Sequence, residues 1–239
     1  MLDFVGTVLT AALMTFIINA LVTYLDIGHG MKLGIAGIAG FWIGLAAAAG
    51  ASGWLAISRP FPVIGIFVVT PLLAAAITAT SPAARAALLA LPTRLLIGLN
   101  IARVVGMLFL PLAMKGRLAG PFPYSAGWGD IITGVFGVPL LFVAVERNAA
   151  AVAAWNYFGT ADLVLAILFG ITSSDGAALQ LFFYPPGSQA MQNLPWSFIP
   201  TVLVPFYLIM HATIWAQLRR LKDLTAAASP AFAQSAQDG

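Results

Sequence analysis

Charged residues are scarce in this chain, and cysteine is absent. Asp, Glu, Lys and Arg make up 8% of the 239 residues, whereas hydrophobic residues make up 61%. A water-soluble domain carries roughly 25% charged residues, so the composition excludes an ordinary soluble protein and indicates that lipid is the main solvent. The lack of cysteine excludes disulfides, thiolate metal ligands and cysteine nucleophiles.

Motifs of several common chemistries are missing as well. The sequence contains no Walker loop, no GxSxG elbow and no HExxH motif. Its two histidines, His29 and His211, lie in different regions, so we predict neither a metal site nor a bound cofactor. The net charge of +3 comes without basic runs interleaved with aromatic residues, which argues against a nucleic-acid partner. The expected partner is the lipid bilayer.

Long apolar runs bounded by proline, glycine or charge dominate what is present. A spanning helix needs about 20 mostly apolar residues, and the runs predict an all-α transmembrane helical bundle with about seven spans. The predicted spans are 4–24, 33–57, 61–79, 93–114, 128–145, 149–173 and 197–217. Residues 1–223 would then form a single transmembrane domain. Residues 224–239, rich in Ala, Ser and Gln, are expected to form a disordered cytoplasmic tail.

The basic residues of the predicted connections indicate the orientation. Three lie on the side of the N-terminus: Arg59, Lys115 and Arg117. Seven lie on the other side: Lys32, Arg85, Arg94, Arg147, Arg219, Arg220 and Lys222. Because cytoplasmic loops carry the excess of Lys and Arg, we expect the N-terminus outside and the C-terminus inside.

Two connections have unusual sequences. Residues 174–196 contain no Lys or Arg but several aromatic residues, which predicts a lid along the outer interface. Residues 81–92 are either a shorter inner counterpart or the first turns of the fourth span.

One arginine lies near the centre of a predicted span. Arg103 falls in the middle of the fourth span, where an arginine costs roughly 2.5 to 3.5 kcal/mol or more. Asp162 lies at matching depth in the sixth span, so we predict an Arg103–Asp162 ion pair. Asp130, at the outer start of the fifth span, is the competing partner because an arginine side chain is long enough to extend outward to it.

Uncharged polar residues lie at a similar depth. Asn100 is one turn from Arg103, and Asn156 and His211 belong to the sixth and seventh spans. We expect them to face one another rather than lipid. Pro200 and Pro205 each remove a backbone donor from the last span and free a carbonyl nearby. The alternative is that all these polar groups only fasten helices together.

Small residues are concentrated in two spans. The second span contains Gly34, Gly37, Gly40 and Gly44, and the fifth contains Gly129, Gly134 and Gly137, with Gly127 directly before it. Such spacing lets helices approach closely, within one chain or between two copies. It therefore leaves the oligomeric state open.

Four stretches carry a resemblance to known proteins. They are LPTRLLIGLNIARVVG, PFPYSAGWGDIITG, WNYFGTADLVLA and LPWSFIPTVLVPFYLIMH, in the C-terminal three-fifths of the chain. The chain resembles a widespread family of uncharacterised bacterial integral membrane proteins. The resemblance implies a multi-pass protein of the bacterial inner (cytoplasmic) membrane, and it implies site positions at Arg103, Asp130, Asn156, Asp162 and His211.

The chain departs from the pattern of that family at two places. Asn100 stands where Gln is expected, and Gly106 or Met107 stands where some members have Glu. The resemblance supplies no activity.

Three functions remain open from the sequence. The ionisable centre favours a transporter of a small molecule or ion, or a proton-coupled permease, with a midplane site. A second hypothesis is a membrane-embedded enzyme or redox accessory that acts on a lipid-soluble substrate, with His211 as acid or base. The third is a structural or signalling subunit.

Overall fold

The computed structural model describes residues 1–57, 59 and 62–235, and in this part of the chain the regular elements are helices. The helices are α1 (Leu2–Tyr24), α2 (His29–Ala51), α3 (Val63–Thr78), α4 (Pro82–Ala90), α5 (Thr93–Met114), α6 (Phe122–Leu140), α7 (Ala149–Thr172) and α8 (Val204–Ser235). A π-helical turn, Ile199–Leu203, leads directly into α8. The protein is therefore all-helical, as the sequence predicts.

Several of these helices have the length and apolarity of a membrane span. Five qualify individually: α1, α2, α5, α7 and the segment Ile199–Ala227, which joins the π-helical turn to most of α8. The bent pair of α3 and α4 counts as a sixth if it forms one span. The 19 residues of α6 do not reach the same apolarity. All seven predicted segments overlap helices, and five or six of them have the composition of a span.

Two predicted spans have different bounds in the structure. We predicted the second span over 33–57, but α2 ends before Gly53, whose positive φ of 76° suits glycine and stops the helix. We predicted the fifth span over 128–145, but α6 already includes Pro123 in its first turn, where a proline sacrifices no helical hydrogen bond. It ends at Leu140.

The 81–92 segment forms a helix of its own rather than the start of α5. The axis of α4 turns by 106° from that of α3, and Pro92 separates α4 from α5. Gln217 of α8 fixes this corner, because its Nε2 donates to Leu91 O at 2.7 Å and its Oε1 accepts from Thr93 Oγ1 at 2.9 Å. The segment therefore lies across the end of the bundle.

A second set of side-chain hydrogen bonds joins three segments at the opposite end of the bundle. We call this set, centred on Asp3, and the set centred on Gln217 the two clasps. Asp3 Oδ1 accepts hydrogen bonds from Arg117 Nη1 at 2.6 Å and from Trp196 Nε1 at 2.7 Å. These three residues come from the start of α1, the α5–α6 connection and the segment before α8. Because Trp196 precedes the long last helix and Gln217 lies far along it, the two clasps mark opposite ends.

The long 174–196 connection is irregular apart from a short 3-10 helix, Gln189–Gln192, and it folds back on the helix ends. An antiparallel bridge joins Ser174 to Gly187, and Arg59 Nε donates to Gly176 O at 2.8 Å. Trp196 is completely buried, whereas Phe183 is 73% exposed. One part of the connection therefore packs on the bundle, and the other presents an apolar tip.

A proline near the start of α8 leaves one backbone carbonyl without an α-helical hydrogen bond, and a side chain of α2 takes its place as donor. Pro205 has no N–H to donate to Thr201, four residues earlier. Trp42 of α2 donates its Nε1–H to Thr201 O instead, at 2.9 Å, and its ring packs at a tilt of 44° against Phe67 of α3. The predicted freed carbonyl is thus the point at which α2 joins α8.

The two glycine-rich helices pack differently. A Cβ placed on Gly134 of α6 would lie 2.8 Å from Ile101 O, so these backbones approach as closely as glycine allows. By contrast, nothing lies within 4 Å of a Cβ placed on Gly34, Gly37, Gly40 or Gly44 of α2, although one placed on Gly50 of the same helix would lie 2.9 Å from Ser197 Oγ. The α6 glycines are a packing surface within the chain.

The last helix extends beyond the predicted end of the transmembrane domain. We predicted the disordered tail over 224–239, but the backbone of α8 is helical to Ser235. Residues 236–239 lie outside the described residues, and the disorder of the tail stays a prediction.

Candidate functional site

Arg103 lies at the centre of the bundle, in a 3-10 helical stretch of α5, Ala102–Leu108, and is only 2% exposed. Its Nε donates to Asp130 Oδ1 of α6 at 2.7 Å, and its Nη2 donates to Asp162 Oδ2 of α7. Nη1 donates to Gly159 O at 3.0 Å. The predicted Arg103–Asp162 pair is therefore present, and the competing partner Asp130 binds the same guanidinium.

His211 and Asn156 extend this network from α8 and α7. His211 Nε2 lies 3.2 Å from Arg103 Nη1 and must accept that hydrogen bond, since a guanidinium only donates. The ring proton is consequently on Nδ1, which donates to Asn156 Oδ1 at 2.6 Å. Asn156 Nδ2 in turn donates to the backbone carbonyl of His211 at 3.1 Å. The histidine is neutral, and both of its ring nitrogens are occupied.

Asn100 does not join the other predicted residues. It is fully buried on α5, but its Nδ2 donates to Leu96 O of its own helix at 2.9 Å. Its Oδ1 has no hydrogen-bond partner among the described residues. The predicted polar layer thus contains Asn156 and His211, with Asn100 beside it.

Glycines give the two carboxylates their space. A Cβ on Gly129 would overlap the carboxylate of Asp162, and one on Gly106 would overlap that of Asp130. A side chain at either position therefore requires the acid to move. Position 106 therefore has no room for a Glu, the residue that some members of the resembled family have at position 106 or 107.

Sequence reasoning missed the aromatic residues around the site. The Tyr207 ring centroid lies 5.8 Å from Arg103 Cζ, a distance that allows a cation–π contact. The Trp155 ring lies 5.5 Å from that of His211, and its Nε1 donates to Thr133 O at 2.8 Å. Tyr207 precedes His211 by one helical turn, so a search for residues on the His211 face of α8 would have found it.

The formal charges of the site do not cancel. One guanidinium binds two carboxylates, and the histidine is neutral by its hydrogen bonding. If both acids are ionised, the site has a net charge of −1. An uncompensated charge is costly away from water, so this arrangement favours uptake of one proton or one cation.

A cavity of about 130 Å³ reaches the site from the side of the long connection. Asp130 is the one acid among its lining residues, which are otherwise mostly apolar and come from α3, α5, α6, α7 and the start of α8. Ser174, Ser188 and Gln192 line it from the connection. Asp130 therefore lines the cavity, whereas Asp162 does not.

Metal-ligating side chains do not cluster in the part of the chain that the structure describes. No group of three or more His, Asp or Glu side chains is placed there to hold a metal ion. The ionisable groups that the site presents are two carboxylates, one guanidinium and one imidazole.

Comparison with known proteins identifies a family whose function is unknown. Residues 60–219 match the profile of a domain of unknown function, DUF8737. No curated protein and no solved structure matches the chain. The matched region contains the Arg103 site with all its partners and leaves out α1 and α2. The chain belongs to the DUF8737 family.

Proposed function

We propose that the protein is a proton-coupled transporter of a small molecule in the bacterial inner membrane. The observation that carries the proposal is the unequal charge of the buried site, where two carboxylates bind one guanidinium and one of these acids faces a cavity. Ionisable groups inside a membrane bundle typically mark ion or substrate pathways.

We assign the transported proton to one of the two acids, Asp130 or Asp162, at a time. With one of them protonated, the remaining carboxylate balances Arg103, and the site is neutral. Loss of that proton leaves one negative charge next to the cavity. Asp130 is the acid that exchanges the proton with the cavity, because it lines the cavity and Asp162 does not.

The cavity suggests the size of the substrate. Its volume of about 130 Å³ is close to that of an apolar cavity of about 150 Å³ that admits benzene. Its lining is mostly apolar, with serine, glutamine and one acid as polar groups. The substrate class is a compact, mainly apolar molecule with one polar or cationic end.

We further propose seven crossings with the N-terminus outside. A helix of 19 residues is about 28 Å long, close to the thickness of the hydrocarbon core, so α6 is long enough to cross. It needs less apolarity because its glycines and Asp130 face other helices. The clasps at Trp196 and Gln217 support alternating helix directions, and three against seven basic residues support the orientation.

The hydrogen bonds of His211 favour transport over the enzymatic alternative. An acid–base residue needs a ring nitrogen that is free to reach a substrate. Here Arg103 occupies Nε2 and Asn156 occupies Nδ1. The third alternative, a purely structural subunit, gives no reason for an unequal number of acids and bases in the site. The flux experiment below distinguishes it from a transporter.

Proton flux in proteoliposomes tests the proposal. Because a coupled transporter moves protons only together with its substrate, a gradient of a small quaternary ammonium ion, which fits the proposed substrate class, is imposed across the vesicle membrane. It should drive proton movement above that of protein-free vesicles, as reported by an internal pH-sensitive dye. Asp130→Asn and Asp162→Asn should each lower this flux at least about tenfold, because each removes a carboxylate that exchanges or balances the proton.

Asp26→Asn is the matched control, because Asp26 is an exposed acid in the α1–α2 connection. It should leave the flux unchanged. If both site variants conduct protons like the wild type while remaining folded, the transport proposal is wrong and the polar centre is structural.

A further inference from the structure

A second, larger cavity lies at the opposite end of the bundle from the long connection. It has a volume of about 680 Å³ and lies between α4 and α8. Three arginines line it, accompanied by one acid and four other residues: Arg85, Arg219, Arg220, Asp223, Leu89, Ala212, Trp215 and Ala216. We call this cavity the arginine cleft. It shares no residue with the Arg103 site and is independent of the proposed transport.

The arginines of the arginine cleft, Arg85, Arg219 and Arg220, form no ion pair in the part of the chain that the structure describes. With Asp223 counted, the formal charge of the lining is +2, from three arginines and one acid. Guanidinium groups that converge on one space suit phosphate oxygens, which they bind through paired hydrogen bonds.

The lining changes from apolar to charged along α8. Ala212 comes first, Trp215 and Ala216 follow one turn later, and Arg219 and Arg220 lie one further turn along. From Ala212 to Arg220 the helix advances about 12 Å. This order matches a molecule with an apolar tail and an anionic head, and tryptophan commonly lies at the level of lipid headgroups.

The other wall of the arginine cleft is fixed in place. The helix α4 turns by 106° from α3, so it runs across the end of the bundle and brings Arg85 opposite the arginines of α8. Gln217 secures that position through Nε2, which donates to Leu91 O at 2.7 Å. The two walls are therefore joined, and the space between them is part of the fold.

We infer that the arginine cleft binds the phosphate headgroup of an anionic phospholipid, with the acyl chains directed toward Leu89 and Ala212. The three arginines bind the phosphate, and Asp223 at the rim opposes it. The placement at the end with more basic residues agrees, since the cytoplasmic leaflet carries the anionic lipids.

Thermal unfolding of the protein in a neutral detergent tests the inference. Three probes are titrated at constant ionic strength: short-chain phosphatidylglycerol, short-chain phosphatidylcholine and inorganic phosphate. Phosphatidylglycerol should raise Tm in a saturable way, because a ligand of the folded state stabilises it. Phosphatidylcholine, which has no net charge, should have little effect.

Variants with opposite expected signs make the test specific. Arg219→Gln should weaken the apparent affinity for phosphatidylglycerol about tenfold, and Arg85→Gln should do the same from the other wall. Asp223→Asn should strengthen it, because it removes a repelling charge. Arg147→Gln is the matched control: it removes one exposed arginine from a different connection and should leave the affinity unchanged.

Three results would overturn the inference. One is an equal response to phosphatidylcholine, which would mean that the headgroup charge is not read. Another is an equal loss of affinity in Arg147→Gln, which would mean that only net charge matters. A third is an equal, saturable response to inorganic phosphate, which would assign the cleft to free phosphate instead of a lipid.

Discussion

The first two helices, α1 and α2, are at least as apolar as the last span, Ile199–Ala227, but a much smaller fraction of their residues is buried by the rest of the chain. In the most apolar stretches of α1 and α2, 22% and 17% of residues are buried, against 56% in Ile199–Ala227. The family match begins at residue 60, after α2. Apolarity therefore identifies the helices suited to lipid, whereas glycines with close neighbours and paired charges identify the helices that build the site.

The helix α6 illustrates the difference most clearly. It is the long helix that lacks the apolarity of a span, and yet its glycines and Asp130 pack against α5 and α7. One face of α6 is packed and carries the small and polar residues, whereas the other is exposed and apolar, with Trp128, Val135 and Phe136 each more than half exposed. The low mean apolarity of α6 therefore comes from its packed face.

The largest expected effect comes from Arg103→Met. The change leaves Asp130 and Asp162 buried without their cation, and breaking a buried pair in this way costs about 3–5 kcal/mol. Thermal unfolding in detergent, monitored together with gel filtration, should show a much lower Tm or little folded protein. Arg147→Met, at an exposed arginine, should stay within about 0.5 kcal/mol.

A rescue variant sharpens this first prediction. Arg103→Met combined with Asp130→Asn and Asp162→Asn removes every charge of the site and should recover much of the stability. Equal melting of Arg103→Met and Arg147→Met would contradict the central position of the charge network.

Alanine in place of glycine should have opposite effects in the two regions. Gly129→Ala forces the Asp162 carboxylate to move and should destabilise the protein by about 1–3 kcal/mol. Gly40→Ala on α2 meets nothing within 4 Å and should stabilise slightly, because alanine favours a helix over glycine by up to about 1 kcal/mol. Matched Tm measurements check both, and a destabilising Gly40→Ala would reveal an interface that a single chain does not contain.

The attachment of α2 to α8 should have an intermediate effect. Trp42→Phe keeps an aromatic ring against Phe67 but removes the donor to Thr201 O, so we expect a loss of about 1 kcal/mol. Trp54→Phe, at a residue that is 53% exposed, serves as the control and should change Tm little. Equal Tm values for the two variants would show that this hydrogen bond does not anchor α2.

The smallest effect is expected at the clasp between Asp3 and Arg117. The Arg117 side chain is 35% exposed, so Arg117→Gln should cost about 0.2–1 kcal/mol. Raising the salt concentration should reduce this difference, because exposed charges are screened. The cost of Arg103→Met should not respond to salt, and a similar salt response for both would mean that water reaches the central site.

Much of the candidate site could be predicted from the sequence because depth in a membrane follows from position along a span. Arg103 and Asp162 have matching depth, and both predicted partners of the arginine bind it. The contact of Asn156 with His211 follows from the same reasoning. Each of these residues costs free energy when it faces lipid, so few placements are available to it.

Other features depend on backbone geometry that residue patterns do not record. Asn100 lies one turn before Arg103, but its side chain bonds to its own helix. The charge imbalance arises because both acids bind the same guanidinium. The depth of the residues along their spans indicated only that either acid could be the partner. The Asp130 cavity depends on how the irregular 174–196 connection folds, and the sequence of that connection specifies no regular element to predict from.

The tighter winding of α5 at Ala102–Leu108 has a mechanical consequence. In a 3-10 helix, residues three apart stand directly in line, whereas in an α-helix they are rotated by about 60°. Gly106 therefore stands in register with Arg103, so the Asp130 carboxylate lies against the backbone at Gly106 and accepts a hydrogen bond from Arg103 Nε. If this stretch were wound as an α-helix, Gly106 and Arg103 would be rotated about 60° apart. The winding of this one stretch therefore controls whether Arg103 and the backbone at Gly106 can both contact Asp130.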